Sequence, residues 1–172
     1  MNAEVIRVEV LGVFPTEQQT LAIFVGNQEK CFVIHVEPVV GRAIAMSMRG
    51  ERSERPLTHE LVGLIFQAFD VALERVVIND LRSNTYFARL MLKAENEIHT
   101  KHVEIDARPS DSIALALQAE APIYVSDVVW DEVDDRSEEL EKIKQALRDK
   151  QLGLGGSGGS GKDPFFDDDE DD

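Results

Sequence analysis

The chain of 172 residues has a single cysteine, so no intrachain disulfide framework can hold it together. Cys31 sits in the apolar run Cys31-Phe32-Val33-Ile34, and the expected state there is a buried, inert thiol rather than a nucleophile. No apolar stretch approaches the roughly 20 residues needed to span a bilayer. The opening Met1-Asn2-Ala3-Glu4 has neither a basic segment nor a cleavage-site pattern. Both absences lead to the expectation of a cytoplasmic protein with no membrane partner. Also missing are a Gly-rich phosphate loop, paired-cysteine zinc spacing, His-Glu-x-x-His and Gly-x-Ser-x-Gly.

Basic residues are scarce as well. There are 18 Lys+Arg against 33 Asp+Glu, a formal net charge of -15. A uniformly basic coat for nucleic acid is thereby excluded, while a local basic groove is not. Seven acids and one base lie from Leu152 onward, so the remainder carries 26 acids and 17 bases. The length suits one globular domain and is short for two.

The C-terminus separates first. Six of the 11 glycines fall between Gly153 and Gly161, mixed with serine. Without apolar anchors such a stretch cannot offset its ordering entropy, which predicts a flexible linker. Lys162-Asp163-Pro164-Phe165-Phe166 and six consecutive acids follow, a composition expected to be disordered when free. This tail reads most simply as solubilising; a sharper alternative is that it imitates single-stranded nucleic acid.

Before the tail, alternation from Val5 to Gly12 predicts a strand, and the runs 21–25 and 31–36 a hairpin across Gly26-Asn27. A first helix is expected over 39–48. A second starts with Thr58 as N-cap and with Leu57 and Val62 as a hydrophobic staple. Glu60, Gly63, Gln67, Asp70 and Glu74 form its polar stripe, and Leu61, Ile65, Ala68 and Phe69 its apolar side. Strands are predicted over 75–81, 86–92 and 102–105, then a buried alanine-rich helix opened by Pro109 and a last strand over 122–125. The fold class expected is α+β: a mixed or antiparallel β-sheet packed with two or three helices. The body spans 1–133, a C-terminal helix 134–151, and the linker and acidic tail 152–172. The C-terminal helix has a narrow apolar stripe of Leu140, Ile143 and Leu147, suited to resting on the body or to self-association.

Two polar clusters could carry chemistry. Arg55-Pro56-Leu57-Thr58-His59-Glu60 enters a helix, where an anion could dock with Arg55 as a fork donor. The modest alternative is that Thr58 caps, Glu60 offsets the dipole and His59 is surface. Asp106-Ala107-Arg108-Pro109-Ser110-Asp111-Ser112 joins a strand to a helix. Asp106 and Asp111 could hold a divalent metal or an activated water there. Its modest alternative is a rigid corner with Asp106 paired to Arg108. Asp80 reads as turn chemistry, and His35, His99 and His102 receive no role.

Together with Val77-Ile78-Asn79-Asp80-Leu81, Tyr86-Phe87-Ala88-Arg89-Leu90, Ile113-Ala114-Leu115-Ala116-Leu117 and Ala121-Pro122-Ile123-Tyr124-Val125, these segments resemble the bifunctional nuclease (BFN) domain family over roughly 5–132. Two departures stand out. Ser112 replaces a common alanine, and Glu37-Pro38-Val39-Val40-Gly41 lacks a carboxylate that usually opens the helix before Ala43.

The resemblance implies an α+β domain, a homodimer or higher homo-oligomer, and nuclease action on DNA and RNA. Catalytic roles then fall to His59, Glu60, Asp106 and Asp111, phosphate binding to Arg55 and Arg108, and Mg2+ or Mn2+ to Asp106 and Asp111. The rival expectation is a non-catalytic interaction module of the same fold.

Overall fold

A computed structural model describes residues 4–95 and 98–151. The chain divides into two compact units after Ser137. In order, the first contains strands β1 (Val5–Pro15), β2 (Leu21–Gly26) and β3 (Cys31–Val36), then helices α1 (Pro38–Met48) and α2 (Thr58–Ala68). Strands β4 (Val71–Arg82), β5 (Thr85–Glu95) and β6 (Thr100–Ala107) come next, followed by helix α3 (Pro109–Ala119), strand β7 (Ile123–Ser126) and the short helix α4 (Asp127–Glu132). The fold is α+β, with all seven strands in one mixed sheet ordered β3-β2-β1-β7-β4-β5-β6. Neighbours run antiparallel except β4 and β7, which are parallel.

Local chemistry explains most of these elements. Asn27 Oδ1 accepts from the backbone N–H groups of Glu29 and Lys30 at 2.8 and 3.3 Å and closes the β2–β3 hairpin. Gly41 lets α1 approach β2: a Cβ there would collide with the Leu21 side chain. Pro109 opens α3, and Ser112, Ile113, Ala114 and Ala116 are fully enclosed. The small alanines let this helix lie close to β4 and β5, as its composition predicted.

Every residue of β2 is buried, because the sheet curls over itself. Phe32 on β3 stacks 5.5 Å from Tyr86 on β5, far along the strand order. Trp130 of α4 meets Phe32 edge-on at 6.5 Å, with the Lys30 ammonium over its ring at 5.2 Å. Cys31 lies buried beside them.

Several sequence expectations change. Leu57, not Thr58, occupies the N-cap of α2, so the Leu57–Val62 staple has the wrong register. The helix ends at Ala68; Asp70 takes a left-handed φ of 53° and β4 begins at Val71. Asp70 and Glu74 therefore leave the helical stripe. The apolar side, Leu61, Ile65, Ala68 and Phe69, faces solvent, and His59, Val62, Gly63 and Phe66 are more shielded positions. Asp80 lies inside β4 beside a register shift, not in a turn. Among the described residues α4 is a further helix that sequence patterning missed.

The second unit carries the helix α5 (Ser137–Gln151 in full). Glu138 and Glu139 stand at its N-terminal turn and Arg148 and Lys150 at its last, complementing the helix dipole. The linker and acidic tail expected over 152–172 lie outside the described residues.

Candidate active site

The first turns of α2 and α3 meet. His59 Nε2 lies 2.9 Å from Asp111 Oδ1, joining segments 52 residues apart in sequence. Arg108 Nε donates to Asp111 Oδ2 at 2.8 Å, and Arg108 Nη2 reaches Oδ1 at 3.5 Å. The local reason is Pro109. With Arg108 extended at the N-cap and proline at the first helical position, the chain turns so that Asp111 sits one turn inside, facing back toward Arg108.

The electrostatics follow from this geometry. Partial burial pushes the Asp111 carboxyl up, but hydrogen bonds from Arg108 and His59 outweigh it and hold the group below the usual carboxylate range. The Arg108 guanidinium is raised in turn, first by its hydrogen bond to Asp111 and then by Asp111's charge. Glu37, at the N-cap of α1, also favours the Arg108 cation. Glu37 begins the stretch in which the family pattern lacks a carboxylate, and its nearness to Arg108, 71 residues on, is what linear sequence cannot display.

The other expected site residues are placed differently. Glu60 Oε2 accepts from the Leu57 N–H at 2.8 Å, the reciprocal half of a capping box. Leucine has no oxygen to supply the other half. Asp106 stands exposed on the edge strand β6, in register with Arg89. The Asp106–Arg108 pairing is not formed; Arg108 turns to Asp111 instead. Arg55 is exposed in the loop before α2. Asp80 pairs with Arg82, and His102 Nδ1 lies 3.1 Å from Glu74 Oε2 on the open sheet.

A metal needs several converging donors. Among the described residues no three His, Cys, Asp or Glu side chains gather in a way that could hold an ion. Both oxygens of Asp111 are already engaged. The donor set thus does not fit a divalent ion held by protein alone.

Sequence reasoning missed a cleft of about 530 Å3 between the 50–56 loop, α2 and the end of α3. Glu51, Glu54, Glu60 and Glu120 line it with Arg52, and the Gln118 amide forms part of the wall. Gln118 Oε1 is buried without a hydrogen-bond partner among the described residues. His59, Arg108 and Asp111 are not in its lining, and its acidic wall disfavours a polyanion. Gly63 in a helix was the available signal: its missing side chain leaves α2 open above Gln118.

No helix among the described residues is long and apolar enough to cross a membrane. Residues 16–138 match the family model described as the bifunctional nuclease domain. Two uncharacterized proteins of Mycobacterium tuberculosis are each 33% identical to the chain over 147 residues. They are MT1877 of strain CDC 1551 / Oshkosh and Rv1829 of strain ATCC 25618 / H37Rv, and the match covers 77% of this chain and 85% of theirs. On the extent of both matches, the chain belongs to the bifunctional nuclease domain family.

Proposed function

We propose that this protein is a cytoplasmic nuclease that hydrolyses phosphodiester bonds of DNA, RNA or both. The observation that carries the reading is the 2.9 Å contact between His59 Nε2 and Asp111 Oδ1, with Arg108 on the same carboxylate. Asp111 stays ionised and accepts a hydrogen bond from the Nε2–H, which leaves Nδ1 unprotonated to take a proton from an attacking water. The new oxygen–phosphorus bond forms as the ester bond breaks. The imidazolium, stabilised by Asp111, returns its proton to the departing alkoxide. The exposed N–H groups of Arg108 and the guanidinium of Arg55 bind the non-bridging oxygens and stabilise their charge in the transition state. Glu60 keeps Oε1 free to orient the water.

Assistance by Mg2+ or Mn2+ through Asp106 and Asp111 is a separate proposal, and no step above is routed through an ion. Chelation with EDTA checks it: cleavage that survives removes the ion from the reading, and cleavage that stops restores it with the substrate phosphate as a further ligand.

The test is cleavage of single-stranded RNA and DNA by highly purified full-length protein. His59→Ala is expected to lose about 100-fold or more in rate, and Asp111→Ala and Arg108→Ala to fall with it. An Asp106→Ala, Asp111→Ala double variant with full activity would sink the site, and wild type with no cleavage of either polymer would sink the reading. One observation favours the rival, a non-catalytic interaction module: Glu60 and Asp111 are both engaged in bonds that stabilise the fold. In that case all the variants match wild type.

A further inference from the structure

The cleft between the 50–56 loop, α2 and the end of α3 collects negative charge from side chains and backbone alike. Glu54 and Glu120 stand exposed in its lining and take part in no ion pair among the described residues. Glu60 adds Oε1, which its capping bond leaves free. Arg52 is the one basic side chain of the lining. Two helices also end here: Ser47 near the close of α1, and Leu117 and Glu120 at the close of α3, belong to the wall. Neither helix has a basic residue in its last turn, so two negative dipole ends stand at the cleft with no cation on the last turn of either helix. Gln118 Oε1 is buried in the wall without a hydrogen-bond partner among the described residues, and an orphaned acceptor of this kind is costly until a donor reaches it.

We infer that this cleft binds a small linear polyamine, a chain of ammonium groups joined by methylenes. The chemistry of the wall selects that class. Carboxylates, helix C-termini and Gln118 Oε1 all accept hydrogen bonds, and a protonated amine offers N–H donors with no acceptor. Pro56, Leu64 and Leu117 supply apolar surface for the methylenes. A single metal ion fits less well, because no three His, Cys, Asp or Glu side chains converge on one point among the described residues. Charges spaced along a flexible chain can instead reach carboxylates that stand apart. The volume of about 530 Å3 lies within the range of small-molecule sites, roughly 300–1,000 Å3. His59, Arg108 and Asp111 are outside the lining, so this inference does not rest on the nuclease reading.

Isothermal titration calorimetry of the full-length protein with spermidine tests it, at about 50 mM salt, where surface charges are weakly screened. Saturable uptake of one spermidine per chain is expected. A Glu54→Gln, Glu120→Gln variant keeps both side-chain shapes and should weaken binding by about 10-fold or more. Gln118→Leu, which leaves every charge in place, should weaken it by about 3-fold or more. Both glutamates are exposed, so far-UV circular dichroism of the double variant should match wild type. The acids beyond Gln151 are intact in both variants, and spermidine held by that run would ignore either substitution. Binding equal to wild type in both variants therefore overturns the inference, as does a wild type that takes up no spermidine. If Gln118→Leu is misfolded, Gly63→Leu replaces it: a Cβ at Gly63 stands 3.9 Å from Gln118 Oε1, and a leucine there should block the same wall and weaken binding as much.

Discussion

Asp111 shows how one side chain can serve both the fold and the proposed chemistry. It is partly buried, which by itself raises its pKa, yet Arg108 and His59 hydrogen-bond its ionised form and lower it overall. A carboxyl depressed in the folded state stabilises that state at every pH above its unfolded value of about 3.9, and the contribution disappears as pH falls through the lower folded value. Asp111→Asn is therefore expected to cost about 1 kcal/mol at neutral pH, after discounting for solvent around an exposed arginine. The cost should be nearly constant between about pH 5 and 7 and should shrink as the pH falls below the unfolded value of about 3.9. Urea unfolding of both proteins across this range measures it. An equal gap at the acid end would mean that the substitution acts through packing rather than charge. Asp111 was legible in the sequence because Pro109 fixes its distance from the helix start. The role of Asp106 was less so: five residues of spacing set a separation along the chain, while the β5–β6 register decides that Asp106 lies opposite Arg89.

At the scale of elements, α2 teaches most. Its existence was plain from composition, and its limits were set by two effects that patterning does not weigh. Glu60 reaches back to the Leu57 N–H and draws the helix start to that residue. Asp70, in a left-handed conformation, ends it before the polar stripe is complete. Glu60→Ala leaves the Leu57 N–H to water and is expected to cost about 0.5–1 kcal/mol in chemical denaturation, whereas Glu60→Gln, which keeps an acceptor, should recover most of it. If glutamine restored stability but cleavage stayed lost, Glu60's charge would be needed for the reaction as well as the helix. The orientation of α2 was not legible. An amphipathic pattern says that one face is apolar; it does not say which way the helix turns that face. By contrast, the near-continuous apolar composition of α3 left it nowhere to lie except inside, and there the structure agrees.

For the whole molecule, sheet order lay furthest from sequence. The hairpins β2–β3, β4–β5 and β5–β6 follow from short connections, but β7 inserts between β1 and β4 and is parallel to β4. That choice is made by long-range packing of α3 and α4 rather than by local residues. Net charge, however, is fully legible and governs encounters with a polyanion. Seven of the 33 acids lie from Leu152 onward, together with one base. A chain ending at Gln151 thus changes from -15 to -9 by loss of those side chains. Repulsion of a nucleic acid is then weaker while Arg55 and Arg108 are untouched. At about 50 mM salt the shortened protein is expected to bind single-stranded RNA several-fold more tightly. The advantage should fade toward 1 M, where the Debye length is about 3 Å. The slope of log affinity against log salt should stay shallow, near −1 to −2, because only two or three phosphates meet cations. Fluorescence anisotropy with a labelled oligonucleotide reads both quantities. Equal affinities at every salt concentration would show that the acids beyond Gln151 do not influence the site. A gain persisting at 1 M would mean they obstruct it by direct occupation rather than through their field.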